Sequence, residues 1–307
     1  MIDLKNKLQN IPIDYSWSFV DKTIKDTSYI THGYYTYPAK FIPQLASRLI
    51  DEYSKEGDII IDPFMGSGTT VVEAIINNRI GIGTDINEIA YLIAKVKTTT
   101  INIADISQEF NNIEFSLQDR LNGNYNRFLE KANKIVPEND RIAYWFLPKQ
   151  KEKLSIIFAR ILEIKDDNIR NFFLIGFAQI LKSCSIWLQK SVKPTRDQNK
   201  KMVEPMTAFI NQTKKMIKKQ SEFERILNYE IKQNIDKYRI VECNDSRNLP
   251  CEDNKASLIV TSPPYVTSYE YADLHQLPSL WFGYLSELAE FRKKFIGSAY
   301  KNKEDLV

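Results

Sequence analysis

The chain has 307 residues, of which 43% are hydrophobic and 26% charged, and its net charge of +3 is a weak sign of any particular partner. No apolar run approaches the roughly 18 residues that a membrane-spanning helix needs, and the polar N-terminus shows no secretory signal. Three cysteines and two histidines exclude a disulfide framework and a histidine-rich metal site, so we expect a cytoplasmic protein with no metal and no membrane contact.

The first hundred residues change from an irregular pattern to a regular one. Residues 1–30 are polar with scattered aromatic side chains, which predicts an irregular arm. Apolar spacing from Leu45 to about Tyr53 predicts a helix. The apolar run Asp58–Ile61 is bounded by turn residues, which is typical of a buried parallel strand.

The next segment alternates between strand and helix. A glycine loop, Phe64–Gly68, leads into a helical pattern at Thr69–Asn77. A second strand is predicted at Ile80–Thr84, and Asn87 is a plausible N-cap for a helix that runs to Lys97. Strand, helix, strand and helix in this order are the unit of a doubly wound α/β sheet.

The glycine loop has the composition of a ligand-binding turn. Gly66 and Gly68 allow the backbone to approach a ligand, and the following helix N-terminus offers N–H groups to a carboxylate. Asp85 follows Asp62 by 23 residues, where an acidic side chain commonly accepts hydrogen bonds from ribose hydroxyls. Thr69 stands where a phosphate-binding P-loop needs lysine, and no third glycine completes a nicotinamide-type motif. A tight turn with a helix cap and no ligand is the other interpretation.

The middle of the chain interrupts this alternation. Residues 101–236 are mostly helical in pattern, as at Lys151–Ile164 and Ile169–Leu188, which predicts a large insertion or subdomain. Within it, Lys182–Lys219 has ten Lys or Arg against two acidic residues, a local net charge of +8. Such a patch suits contacts with phosphates, although a solvated helix face has the same composition.

Strand patterns resume at Tyr238–Glu242 and Ala256–Val260 and end at a proline-rich turn. This turn, Thr261–Tyr265, reads Thr-Ser-Pro-Pro-Tyr, and its two prolines cannot continue a central strand. Ser262 and Tyr265 are therefore predicted at the carboxyl edge of the sheet, beside the glycine loop.

The groups of this turn suit reaction at an exocyclic amino group of a nucleobase. The lone pair of such a nitrogen is delocalised into the ring, and acceptors aimed at its two hydrogens favour a pyramidal, nucleophilic nitrogen. The Ser262 side chain and the Pro263 carbonyl can accept these hydrogen bonds, since proline has a fixed φ and no competing N–H. Tyr265 offers a face on which an extruded base can stack. Taken alone, the turn is equally typical of an interaction motif.

Together, the two motifs resemble those of bacterial amino-group (N4-cytosine and N6-adenine) DNA methyltransferases, the kind found in restriction–modification systems. The resemblance implies a Rossmann-like α/β methyltransferase sheet and S-adenosylmethionine as the cofactor. The catalytic residues that it implies are Ser262, Pro263, Pro264 and Tyr265. The cofactor-binding residues that it implies are Tyr37, Lys40, Phe41, Asp62, Pro63, Phe64, Gly66, Ser67, Gly68, Thr69, Thr70, Asp85, Ile86, Asn87, Asp245 and Ser246.

The first residue of the catalytic motif bears on which base is modified. In this family, serine is associated mainly with N4-cytosine enzymes, and Asp or Asn with N6-adenine enzymes. Ser262 therefore predicts transfer to N4 of cytosine in double-stranded DNA, with N6 of adenine as the alternative. Methylation at C5 of cytosine needs a cysteine nucleophile at the catalytic turn, whereas Cys251 precedes the fourth strand and is interpreted as a loop residue.

The predicted sheet has fewer strands than the seven that the family implies, since only four can be placed. We expect an incomplete sheet with a large helical insertion, divided into a cofactor-binding half at 1–100, the helical insertion at 101–236 as the candidate DNA-contacting region, and a catalytic half at 237–307. An open fourth strand with apolar Leu258 and Ile259 would favour aggregation. Either a truncated product or a second polypeptide that completes the sheet would explain the pattern.

The expected partners are double-stranded DNA and a cognate restriction endonuclease that acts on the same site. Two other functions stay open at this point. An RNA base methyltransferase would share the glycine loop, but its catalytic turn more often begins with Asp or Asn, and no RNA-binding module is evident. A catalytically silent subunit that binds DNA or a partner chain would fit the missing strands, but not the retained Ser262, Tyr265 and Asp85.

Overall fold

The computed structural model describes residues 11–38, 40, 42–122, 125–264, 271–285 and 288–293. A parallel sheet of the four predicted strands lies at its centre, with the strand order β3-β2-β1-β4. The strands are β1 Ile59–Asp62, β2 Ile80–Asp85, β3 Arg239–Cys243 and β4 Leu258–Ile259. The α/β fold and the parallel sheet that the sequence predicted are therefore confirmed.

Three helices flank the first two strands. They are α1 Pro43–Tyr53, α2 Thr69–Ile76 and α3 Glu88–Lys97. The predicted cap of α3 is present, because the Asn87 side chain accepts a hydrogen bond from the Ile89 N–H at 3.0 Å. From β1 the chain moves outward through β2 to β3 and later returns to the other side of β1 as β4. The sheet thus has a topological switch point between β1 and β4, where ligands of open α/β sheets bind.

Helices dominate the rest of the described chain. Between β2 and β3, after α3, lie α4 Ile103–Asn122, α5 Tyr125–Asn133, α6 Asp140–Trp145, α7 Pro148–Leu162, α8 Asp167–Leu181, α9 Pro205–Ile226, α10 Tyr229–Gln233 and α11 Ile235–Tyr238. After β4 lie α12 Tyr271–Leu274, α13 Gln276–Trp281 and α14 Leu288–Lys293. In the described part of the chain, no helix is long and apolar enough to cross a membrane.

One predicted helix was too long. The apolar pattern at 169–188 predicted a continuous helix, but α8 ends at Leu181. The chain then forms an antiparallel hairpin in which Trp187 pairs with Arg196. The error arises because Ile186 and Trp187 are buried apolar residues whether they lie on a helix or on a hairpin.

The largest hydrophobic cluster joins the helical segment to the sheet. It includes Ile93 of α3, buried aromatic residues of α7 and α8, and Trp281 of α13. The Trp281 ring lies 5.9 Å from the Phe158 ring and 5.4 Å from the Phe177 ring, between centroids. The segments before and after the helical region therefore share one core with it.

The fourth strand has an exposed edge within the described residues. There β4 pairs with β1 alone, through Leu258 and Ile259. Ile259 is 58% exposed, which is unusual for an isoleucine in a parallel sheet. An open apolar edge is thus present, and a second polypeptide that covers it stays a prediction.

Candidate cofactor and catalytic site

A cavity lies at the carboxyl ends of the strands, beside the switch point, and its empty space including the open solvent at its mouth is about 840 Å³. It is lined by Tyr37, Lys40, Asp62, Pro63, Phe64, Met65, Gly66, Ser67, Thr69, Asp85, Ile86, Asn87, Asn244, Ser246, Ser262 and Pro264. The tertiary structure therefore brings the glycine loop and the proline-rich turn to one cavity, although they are about 200 residues apart in the chain.

Backbone hydrogen bonds fix the glycine loop after β1. The Met65 N–H donates to the Thr84 carbonyl of β2 at 3.0 Å, and the Gly68 N–H donates to the Met65 carbonyl at 2.7 Å. Gly68 has a φ of +72°, and a Cβ added there would lie 2.8 Å from the Ala94 Cβ. Glycine is therefore required at this position, both by the backbone conformation and by the close approach of α3.

Asp85 connects the glycine loop to the turn after β2. Its two carboxylate oxygens accept hydrogen bonds from the backbone N–H of Gly66 at 3.0 Å and of Asn87 at 2.9 Å. Burial raises the pKa of Asp85 to about 6, while these two N–H donors act in the opposite direction. The carboxylate is held at the cavity wall, where it can accept further hydrogen bonds from a ligand.

Asp62 connects β1 to the proline-rich turn. Its Oδ1 accepts a hydrogen bond from the Thr261 hydroxyl at 2.7 Å. Beside it, the Thr70 hydroxyl donates to the Val260 carbonyl at 3.0 Å. Burial raises the pKa of Asp62 to about 6, and the hydroxyl donors lower it. These bonds anchor the chain on the N-terminal side of Ser262, which places Ser262 at the cavity.

Tyr37, which lines another part of the cavity wall, forms an aromatic pair with His275. A Cβ added at Gly66 would lie 3.2 Å from the Tyr37 ring, so this ring packs on the glycine loop. The Tyr37 ring also stacks on His275, with 4.5 Å between centroids. His275 is buried, and burial lowers its pKa to about 4, so the imidazole is neutral at physiological pH.

Several buried polar atoms of the cavity wall have no hydrogen-bond partner among the described residues. They are Ser67 Oγ, Thr69 Oγ1 and Asn87 Nδ2. Buried polar groups nearly always form hydrogen bonds in folded proteins, so we expect these atoms to form hydrogen bonds with a ligand or with water. The Asp85 carboxylate could accept hydrogen bonds from ribose hydroxyls, and the hydroxyls at the start of α2 could donate to a carboxylate. These donors and acceptors are compatible with a nucleoside joined to an amino acid.

Lys97 is a contributor that the sequence did not reveal. Its side chain is buried, and its Nζ donates to the Ser67 carbonyl at 2.6 Å, so it supports the glycine loop from behind. Burial and the nearby Lys40 shift its pKa well below the usual value. In the sequence, Lys97 looked like an ordinary basic residue of the last turn of a helix.

A second unpredicted feature is a buried polar cluster behind α2. His32 Nε2 and Glu73 Oε1 are 2.6 Å apart, and both side chains are buried. The Tyr29 hydroxyl donates to the same Glu73 oxygen. Burial raises the pKa of Glu73 to about 7 and lowers that of His32 well below its usual value. This cluster ties the N-terminal arm to the helix that follows the glycine loop.

Most of the predicted site residues line the cavity, together with two that the prediction omitted, Met65 and Asn244. Four described residues of the prediction lie nearby without lining it, namely Gly68, Thr70, Pro263 and Asp245. Asp245 accepts hydrogen bonds from the Arg247 guanidinium instead, at 2.6 and 2.9 Å. Phe41 and Tyr265 lie outside the described residues.

The sheet order, the glycine loop and the ligand cavity at the switch point define an α/β fold of the S-adenosylmethionine-dependent methyltransferase class. Comparison with known proteins agrees with this class. The family model described as DNA methylase matches residues 4–96. No solved structure matches.

Among known proteins, the chain is 30% identical to the type II methyltransferase M.MvaI of Kocuria varians, over 83% of this chain and 58% of that protein. It is 25% identical to the type II methyltransferase M.MjaII of Methanocaldococcus jannaschii, over 96% of this chain and 70% of that protein. A short segment, 18% of this chain and 20% of the relative, is 52% identical to the orphan methyltransferase M.BamHII of Bacillus amyloliquefaciens.

The chain is thus a relative of the amino-group DNA methyltransferases of restriction–modification systems, as its motifs predicted. It spans less than two thirds of the length of the Kocuria varians relative. Membership of a methyltransferase family implies a methyl donor, for which the cavity is the candidate site.

Proposed function

We propose that the chain takes part in the transfer of a methyl group from S-adenosylmethionine to the exocyclic N4 of cytosine in double-stranded DNA. The observation that carries this proposal is one cavity that holds both the glycine loop with Asp85 and the proline-rich turn with Ser262. A cofactor site and a base site that share a cavity are the arrangement that direct transfer between two bound molecules requires.

The described residues suggest how the cofactor is held. Asp85 accepts hydrogen bonds from the ribose hydroxyls, while Ser67 and Thr69 offer unpartnered hydroxyls to the carboxylate at the start of α2. Tyr37 and Ile86 supply apolar walls. When bound, S-adenosylmethionine supplies an electrophilic methyl group on its sulfonium.

The catalytic turn prepares the amine of the base. The Ser262 hydroxyl and the Pro263 carbonyl accept hydrogen bonds from the two amino hydrogens, which concentrates the lone pair on the nitrogen. Thr261 and Val260 hold this turn to β1 and α2 through their bonds to Asp62 and Thr70, so the acceptors need no reorganisation. Serine as the first residue of the turn favours cytosine, and adenine N6 is the alternative that the test below separates.

Each of the three segments of the chain has its own proposed role. Residues 1–100 and 237–307 carry the cofactor-binding and catalytic halves, and residues 101–236 carry candidate contacts with DNA. A cognate restriction endonuclease acting on the same DNA site, and a second polypeptide on the β4 edge, are further proposed partners.

The test is labelled methyl transfer from S-adenosylmethionine to unmethylated bacterial DNA, followed by identification of the methylated nucleoside by mass spectrometry. Ser262→Ala is expected to reduce the rate at least ~100-fold, as the loss of one preorganised group in an active site does. Ser257→Ala is the matched control, because Ser257 is exposed and lies just before β4.

Each outcome has a distinct meaning. Detection of N4-methylcytosine would support the proposal. Detection of N6-methyladenine would support methyl transfer to an amino group of DNA but would show that the target base is adenine and not cytosine. DNA binding without transfer, equally in the wild-type chain and in Ser262→Ala, identifies a subunit that is not catalytic by itself. Transfer to RNA in preference to DNA would overturn the substrate class.

A further inference from the structure

The basic segment at 182–219 is not one surface in the structure. The Nζ of Lys182 donates to the Ser191 carbonyl at 2.8 Å, and that of Lys200 to the Trp187 carbonyl at 2.6 Å. Lys219 donates to the Ser28 carbonyl. These three ammonium groups therefore bind the backbone of this chain. The remaining cations lie in two groups, one on α9 and one on the hairpin that follows α8, with Lys201 between them.

This hairpin, Ile186–Asp197, is rigidly built. The Leu188 N–H donates to the Thr195 carbonyl at 2.8 Å, and the Asp197 N–H donates to the Ile186 carbonyl at 2.7 Å. At its tip, the Ser191 hydroxyl bonds the Lys193 carbonyl at 2.7 Å. A tip that is fixed by its own hydrogen bonds loses little conformational entropy when it binds a partner.

The outer surface of the hairpin is basic with an apolar residue at its tip. Residues 189–196 contain three cations and no acidic residue, and Lys190, Lys193 and Arg196 are all exposed. Val192 lies between the two lysines and is 46% exposed. The Arg196 guanidinium also lies 4.1 Å from the centre of the exposed Tyr144 ring, which extends the basic surface onto α6. Cations around an exposed apolar tip are the pattern of side chains that enter a DNA base stack.

Direct contacts connect this hairpin to the wall of the cavity. Trp187 of the hairpin stacks on Trp145 with 5.1 Å between ring centroids, and Trp145 Nε1 donates to Gln276 at 2.9 Å. Next to Gln276, His275 stacks on Tyr37, which lines the cavity. Since the two tryptophans, Gln276 and His275 are buried, the hairpin and the cavity wall keep a fixed relative position.

We propose that the Ile186–Asp197 hairpin docks on duplex DNA beside the target base and that Val192 enters the base stack where this base leaves it. Lys190, Lys193 and Arg196 bind the flanking phosphates. Extruding a base costs its stacking and pairing energy, and an apolar side chain that fills the gap offsets part of this cost. This inference rests on the proposed function, because it assumes that a base is extruded toward the cavity.

The phosphate contacts are tested by the salt dependence of binding to a fluorescent, fully paired duplex of mixed sequence. Lys190→Ala with Lys193→Ala is expected to reduce the slope of log affinity against log salt by about 1.8, since each phosphate contact contributes about 0.9. The matched control is Lys215→Ala with Lys218→Ala on α9, where both lysines are also exposed. Equal slopes for the two double variants would overturn the docking of the hairpin.

The wedge is tested with a second duplex that has one central mispaired cytosine, whose extrusion is less costly. Val192→Ala is expected to weaken binding to the mispaired duplex about ten-fold, as the loss of two buried methyl groups implies, and to leave binding to the paired duplex unchanged. Val203→Ala is the control, because Val203 is 43% exposed and lies outside the hairpin. Equal behaviour of the two variants would overturn the wedge.

Both binding tests are independent of catalysis. Methyl transfer by the wild-type chain is measured in parallel with them. A reduced salt slope without any methyl transfer would show that this chain is not catalytic by itself and would leave the DNA contact of the hairpin standing. Methyl transfer with unchanged salt slopes would overturn the DNA contact of the hairpin and leave the proposed function standing.

Discussion

Asp62 and Asp85 are two carboxyl groups that the fold holds at neighbouring strand ends in a largely buried site. Each has a pKa of about 6 in the folded chain, raised from the ordinary value by burial. A raised carboxyl pKa means that the folded state binds the proton more tightly than the unfolded state. The contribution of each group to stability is therefore full at low pH and decreases as the pH rises from about 4 to about 6.

Cofactor binding should depend on pH in the opposite direction. Ribose hydroxyls donate best to an ionised carboxylate, so the affinity for S-adenosylhomocysteine should rise about ten-fold between pH 5 and pH 7, as ionisation with a pKa near 6 requires. Calorimetric titration at three pH values measures this change. Asp85→Asn should flatten the dependence, while Asp119→Asn on the exposed surface of α4 should retain it. An affinity that is constant across this range would contradict the assignment of Asp85.

At the scale of elements, the turn between β1 and α2 is positioned by close packing against α3. The sequence predicted this turn and both flanking elements, because glycines between an apolar strand and a helical pattern are a local signal. It did not predict which glycine is sterically essential. That depends on Ala94, which the packing of α3 places against Gly68.

Gly68→Ala should be much more damaging than Gly57→Ala. Both glycines have a positive φ, +72° and +84°, so alanine costs about 1–2 kcal/mol of backbone strain at either position. At Gly57 an added Cβ meets no atom within 4 Å, whereas at Gly68 it meets Ala94 at 2.8 Å. Overpacking should add about 1–3 kcal/mol to the cost at Gly68. Urea unfolding measures the free energy of unfolding of both variants. Equal losses would show that α3 shifts to accommodate the added methyl group at Gly68 without a further loss of stability.

At the scale of the whole molecule, the helical region and the sheet share one hydrophobic core. The sequence predicted a helical region, with helical patterns that correspond to α7 and α8. The sequence did not reveal that α13, which follows the proline-rich turn, packs into the same cluster. Trp281 makes this connection, since its ring contacts aromatic residues of α7 and α8.

Trp281→Ala should therefore destabilise the whole chain. Removal of a fully buried tryptophan typically costs about 3–5 kcal/mol, and here it would open a cavity between the helical region and α13. Trp17→Ala is the control, because Trp17 is partly exposed and its ring lies 3.8 Å from the Arg48 guanidinium. Urea unfolding followed by circular dichroism should show a cost of about 1 kcal/mol or less for the control. A similar small loss for Trp281 would mean that α13 is not part of the core.

The sequence by itself determined the four parallel strands, the three helices that flank the first two of them, the glycine loop and the proline-rich turn. These features are local, since strand and helix periodicity and the conformations of glycine and proline act over a few residues. Only the tertiary structure decided the pairing of His32 with Glu73, the support of the Ser67 carbonyl by Lys97, and the division of the basic segment into structural and exposed cations. In each case the partner atoms are brought together by packing of the chain, and a buried charged side chain has the same letter in the sequence as an exposed one.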